Sequence, residues 1–96
     1  MSKFMLAHIG FEQPTEEIMA AWLRWFEEIA EVTTENVGLM PGKELSAQGV
    51  QDMPFDDRAL TGYTVIEVPG LEDALEIARS CPAISSIRVQ EIRQPG

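Results

Sequence analysis

The chain has one imidazole, His8, and one thiol, Cys81. A histidine is the side chain best suited to taking or giving a proton near neutral pH. His8 stands near the end of an apolar run, Lys3–Ile9 (KFMLAHI), on the same side as Phe4 and Leu6. The end of a buried strand is where the mouth of a pocket is expected, which makes His8 the candidate catalytic acid–base residue. The competing reading is a hydrogen-bonded strand histidine with no chemical role, because no carboxylate stands at a spacing that would orient it. Cys81 would be a nucleophile only with a depressed pKa. It ends a helical stripe, where the dipole opposes a thiolate, and reads as a small buried apolar residue.

Asp52, Asp56, Asp57 and Arg58 form a polar loop, and loops carried on a rigid sheet commonly line sites. Asp52, with Tyr63 at the start of the strand that follows, is therefore a candidate substrate-binding residue. The alternative is a solvated turn in which the aspartates cap free N–H groups. Glu27, Glu28, Glu31 and Glu35 gather charge towards the end of a helix, but a hard-cation site needs further convergent oxygens and a solvated face is simpler. Trp22, Trp25 and Phe26 read as core and interface. No Gly-rich phosphate loop, His-x-x-x-His pair or recognisable Ser/His/Asp spacing occurs, so neither cofactor nor metal is expected. Nothing in these residues decides whether the protein is an enzyme.

Composition narrows the partners. Sixteen acidic against seven basic residues leave a formal net charge of −9. Such a field repels the phosphate backbone of a nucleic acid and an anionic membrane surface. No apolar run approaches the roughly 18–20 residues that span a bilayer. The start, MSKFMLAHIGFEQPTEE, looks like a first strand rather than a signal peptide, and a cytoplasmic location is expected. A single cysteine allows no intrachain disulfide. Ninety-six residues, 45% of them hydrophobic, suit one domain over 1–96.

The elements that must position these residues follow from periodicity. Lys3–Ile9 is a strand apolar on both sides. Thr15 caps a helix running to about Val32, with Glu16 and Glu17 at the positive end of its dipole. Its apolar arc covers about half the wheel, wider than one packing face needs. Thr33 to Leu60 carries many turn residues and one expected strand, Glu44 to Gln51. Tyr63–Val68 is a strand, closed by Pro69-Gly70. Leu71, Ala74, Leu75, Ala78 and Cys81 stripe a short helix that Pro82 stops, and Ser86–Ile92 is the last strand. The order β-α-β-β-α-β predicts an α+β, ferredoxin-like fold: a four-stranded antiparallel sheet with two helices on one face. Two helices leave the other face bare, although the first and third strands are apolar on both sides. A second copy packed sheet against sheet, a homodimeric α+β barrel, would cover it.

Five segments occur in one order over most of the chain: KFMLAHIG; Asp52-Met53-Pro54-Phe55; Leu60-Thr61-Gly62-Tyr63; Glu67 with Leu71–Ala78; and Arg79-Ser80-Cys81-Pro82-Ala83. This set resembles the YCII-related family, in particular its DGPF-motif branch of small bacterial proteins, with Met53 in place of the motif's Gly. The resemblance implies a ferredoxin-like fold paired into a dimeric α+β barrel. Some YCII-like proteins carry a His on the first helix and an Asp just before the Pro that ends the second, proposed as an acid–base pair. Here the first helix has no His and Cys81 precedes Pro82, so no catalytic assignment carries over. Two functions from different classes remain. One is a small dimeric barrel protein binding a small organic molecule, with cofactor-free acid–base chemistry. The other is a non-catalytic accessory or regulatory module that acts by association, favoured by the missing pair and the wide apolar arc.

Overall fold

The computed structural model describes residues 1–94 of the chain. β1 (Ser2–Ile9), α1 (Glu16–Glu28), β2 (Thr33–Gly38), β3 (Lys43–Ser46), β4 (Gly49–Asp52), β5 (Leu60–Val68), α2 (Leu71–Arg79) and β6 (Ser86–Glu91) follow one another. β2, β5, β1 and β6 form an antiparallel four-stranded sheet in that spatial order. With both helices on one face, this is the expected ferredoxin-like α+β arrangement.

The central strands β1 and β5 pair along their whole length, Phe4 opposite Ile66 and His8 opposite Gly62. Strand alternation sends Phe4, Leu6 and His8 to the helical side, with Thr64, Ile66 and Val68 beside them. Trp25 and Ile29 from α1 and Ala74 from α2 close over Phe4, Leu6, Ile66 and Val68 to make the core. Trp25 is almost fully buried, and its indole N–H donates to the Ile77 carbonyl (3.3 Å) and Ser80 Oγ (3.1 Å), which ties the helices together. Burying so large a ring requires that partner, because an unpaired N–H would cost part of what burial contributes.

Thr15 caps α1 as expected, its Oγ1 accepting from the Ile18 N–H at 3.1 Å. The helix stops at Glu28, short of Val32, because Ile29 turns into the core and the chain enters β2 four residues later. Gly10 follows β1 with φ near +112°, and a Cβ there would lie 2.5 Å from Ser85 Oγ and 2.8 Å from its backbone nitrogen. Only glycine fits that turn.

The middle of the chain differs from expectation. The sheet strand is Thr33–Gly38, whereas Glu44 to Gln51 is a hairpin, β3–β4, that turns at Ala47-Gln48 and forms its own two-stranded ladder. Gly49 takes φ near +115°, and Ser46 Oγ accepts from the Gln48 N–H at 3.2 Å, local chemistry that reverses the chain. Among the described residues the hairpin packs on no other element. It projects from the body, which raises the radius of gyration to 14.6 Å against about 12.5 Å for a compact chain of this length.

The molecule is only 18 Å thick, one sheet plus one helix layer. The outer sheet face carries Met5 and Ala7 from β1, Tyr63 and Val65 from β5, and Val37 from β2. No described helix covers it. Ala7 and Val65 are buried within the monomer under their larger neighbours, so the apolar strip is narrower than the sequence implies. No helix of the described residues is long and apolar enough to cross a membrane.

Candidate functional site

His8 is 6% exposed and sits under α1 at the end of β1. Its position follows from the register: the facing residue on β5 is Gly62, which has no side chain to fill the space beside the ring. Gly62 in turn pairs with Gly38 on β2. A Cβ on Gly62 would stand 2.6 Å from the Val37 carbonyl oxygen, so the close approach of β2 to β5 here requires glycine. The two glycines leave a cleft of about 300 Å³ beside the imidazole, walled by His8, Trp22, Phe26, Asn36 and Thr61 and open to solvent.

The imidazole is fully engaged. Thr64 Oγ1 donates its only proton to Asn36 Oδ1 at 2.9 Å, so it must accept from His8 Nε2 at 2.9 Å. That arrangement places the ring proton on Nε2 and leaves Nδ1 as a lone pair. Cys81 Sγ stands 3.8 Å from Nδ1, within reach for the thiol to donate. A directed chain results, from Cys81 through His8 and Thr64 to Asn36, with the Asn36 amide nitrogen still able to donate at the cleft. Trp22 and Trp25 meet the ring edge-on at centroid distances of 4.9 and 5.6 Å.

Burial sets the charge state of this chain. Desolvation lowers His8 to a pKa of about 4 and pushes the Cys81 thiol up to about 12. At neutral pH both are uncharged, since no nearby ion offsets the loss of hydration. A thiolate–imidazolium pair is thereby disfavoured, and Cys81, expected to be buried, is half-buried at the margin of the core. The neutral network suits hydrogen bonding to an uncharged polar group more than full proton abstraction, because a base whose conjugate acid titrates near 4 has little driving force at pH 7.

Asp52 and Tyr63 do not join His8. Asp52 ends the projecting hairpin, where it pairs with Lys43 in full solvent. Tyr63 is opposite Ala7 and points to the outer sheet face, its hydroxyl donating to Glu35 Oε1 at 3.2 Å. Desolvation, followed by the Glu35 carboxylate, raises the phenol above its ordinary value. Asp56 accepts from the Arg58 N–H at 3.0 Å and its carbonyl accepts from the Phe11 and Ala59 N–H groups, the turn-capping reading of that loop. Among the described residues no three His, Cys, Asp or Glu side chains gather as a metal site.

Two members of the network, Thr64 and Asn36, were not singled out from the sequence. Thr64 carried a usable signal, a hydroxyl at an inward position of β5 between Gly62 and Ile66. Asn36 carried none, because its strand is an exposed edge of polar residues.

No family model matches the chain, and no curated protein matches it. Among solved structures it is similar to 5-chloro-2-hydroxyhydroquinone dehydrochlorinase (TftG) from Burkholderia phenoliruptrix AC1100, in complex with 2,5-dihydroxybenzoquinone. The TM-score is 0.59 at 10% identity, over 97% of this chain and 95% of that one. At such identity the likeness is one of fold.

Proposed function

We propose that this protein binds a small organic molecule in the cleft between α1 and the β1–β5–β2 part of the sheet, with His8 as the polar group of its wall. The observation that carries the reading is the 300 Å³ cleft beside an imidazole whose tautomer is set by its neighbours. Apolar walls with a few placed polar groups are the usual make-up of small-molecule sites. The likeness to TftG supports it at the level of fold, since that protein holds 2,5-dihydroxybenzoquinone. The chemistry we assign to such a site is cofactor-free acid–base chemistry at His8, of the weak kind a neutral, buried imidazole allows once a ligand displaces one of its two ring-nitrogen partners, Thr64 or Cys81.

The same proposal takes the protein as a cytoplasmic homodimer of the YCII-related, DGPF-like kind, paired through the outer sheet faces. Asp52 and Tyr63 would then serve a ligand at the dimer seam, not one in the His8 cleft. A second reading, association with another protein through α1, draws on Met19 and Leu23, which are 56% and 61% exposed.

A thermal-shift screen of small organic compounds against the wild type and His8→Gln tests the first reading, since a ligand of the folded state raises the melting temperature. We expect compounds that raise it by several degrees in the wild type and by less than half as much in the variant. A compound set that leaves the wild type unmoved sinks the reading, and equal shifts in both proteins remove His8 from it.

A further inference from the structure

A second cavity, of about 350 Å³, lies under the first half of α1, between the turn after β1 and the segment ahead of β6. Its walls are largely apolar, from Phe11, Ile18, Met19, Leu23 and Ile84. Phe11 is fixed by Phe55, whose ring lies 4.6 Å away. Trp22 and Thr61 wall this cavity and the His8 cleft alike, so the two spaces adjoin across those side chains.

The charges are as telling as the shape. Neither space has a lysine or arginine in its lining, and the one ionised side chain is Glu12, exposed at the rim of the apolar cavity. A carboxylate or phosphate drawn in would lose its hydration and meet no cation. A cation would find its only counter-charge at the far end from Asn36 and His8. Two polar atoms remain for a ligand: the Asn36 amide nitrogen as donor and, as acceptor, Thr61 Oγ1, whose proton goes to the His8 carbonyl, a pair that suits a hydroxyl or carbonyl.

Resting on the reading of the His8 cleft as a ligand site, we propose that the two spaces form one two-compartment site for an uncharged, elongated organic molecule. Its apolar body lies along α1 against Phe11, Ile18, Met19 and Leu23. Its hydroxyl or carbonyl head passes Trp22 to Asn36.

Three probes separate the compartments: phenol, 4-phenylphenol and biphenyl-4-carboxylate, titrated into the full chain while the Trp22 and Trp25 indole N–H signals are followed by NMR. The expected result is 4-phenylphenol binding at least tenfold tighter than phenol, and the carboxylate at least tenfold weaker than 4-phenylphenol. Leu23→Glu, at an exposed position, should reduce 4-phenylphenol to the affinity of phenol and leave phenol unchanged. Met19→Glu should repeat this should the first variant fail to fold. Asn36→Ala should weaken both phenols. Equal affinity of 4-phenylphenol for the wild type and both rim variants, or of the carboxylate and 4-phenylphenol for the wild type, overturns the two-compartment site. Binding of phenol that ignores Asn36→Ala, or no phenol binding at all, overturns the underlying reading of the His8 cleft instead. Concentration-dependent broadening of the Trp22 signal with no response to any probe turns α1 into a protein-docking face and overturns both.

Discussion

At the scale of single residues, the neutral charge of His8 has a measurable consequence. The folded protein holds it at about 4, while the unfolded chain has the ordinary 6.5. Between those values the unfolded state binds the extra proton, so stability is complete above about pH 6.5 and falls as pH drops towards 4. From pH 7.5 to pH 5 this contributes a loss of about 2 kcal/mol, by the usual linkage between pKa difference and stability. Urea unfolding of the wild type at the two pH values should show that loss over and above the loss in His8→Gln. Identical pH dependence in the two proteins would mean that His8 titrates normally and that the network does not hold it neutral.

At the scale of elements, the site depends on how closely β2 approaches β5. Gly62→Ala puts a methyl 2.6 Å from a carbonyl oxygen of the neighbouring backbone, so a strand must move. We expect a loss of about 1–3 kcal/mol in urea unfolding, the usual cost of overpacking, together with loss of ligand binding in the His8 cleft. A variant of wild-type stability would show that β2 yields freely. The hairpin is the opposite case. Met53 N–H already donates to the Gly42 carbonyl at 3.0 Å across its base, and beyond that point it packs on nothing described. Replacing Lys43–Asp52 by Asn-Gly, which closes a tight antiparallel turn, should change the stability of the monomer by less than about 1 kcal/mol. A loss of several kcal/mol would place the hairpin against the body of the fold.

At the scale of the whole molecule, a two-layer protein 18 Å thick offers one sheet face to solvent. The homodimer proposed above would bury Met5, Tyr63 and Val37 there, with Glu35, Glu67 and Arg88 around them. Sedimentation at micromolar concentration should give twice the chain mass of 10.7 kDa, and Met5→Glu should shift it towards one. A wild type that stays a single copy at high concentration removes the dimer, and with it the seam role of Asp52 and Tyr63. The His8 cleft would survive, because every residue of its wall comes from one chain.

The ferredoxin-like fold class, the central strands, the Thr15 cap and the place of His8 on one face with Phe4 and Leu6 were all legible in the sequence. They rest on local signals, alternation along a strand and stripes along a helix, which a single segment carries by itself. The edge strand Thr33–Gly38 was not legible, because one polar strand looks like a loop until a neighbour supplies its hydrogen bonds. Nor was the separation of His8 from Asp52 and Tyr63. For Tyr63 it turns on which side of β5 the ring emerges once the register with β1 is set, and for Asp52 on a hairpin that leaves the sheet. The partners of His8 lie 56 and 73 residues away along the chain, Thr64 from β5 and Cys81 after α2, and Asn36 from β2 joins the network through Thr64. Only the packed sheet brings them within hydrogen-bond reach, and only burial there keeps the imidazole neutral down to about pH 4.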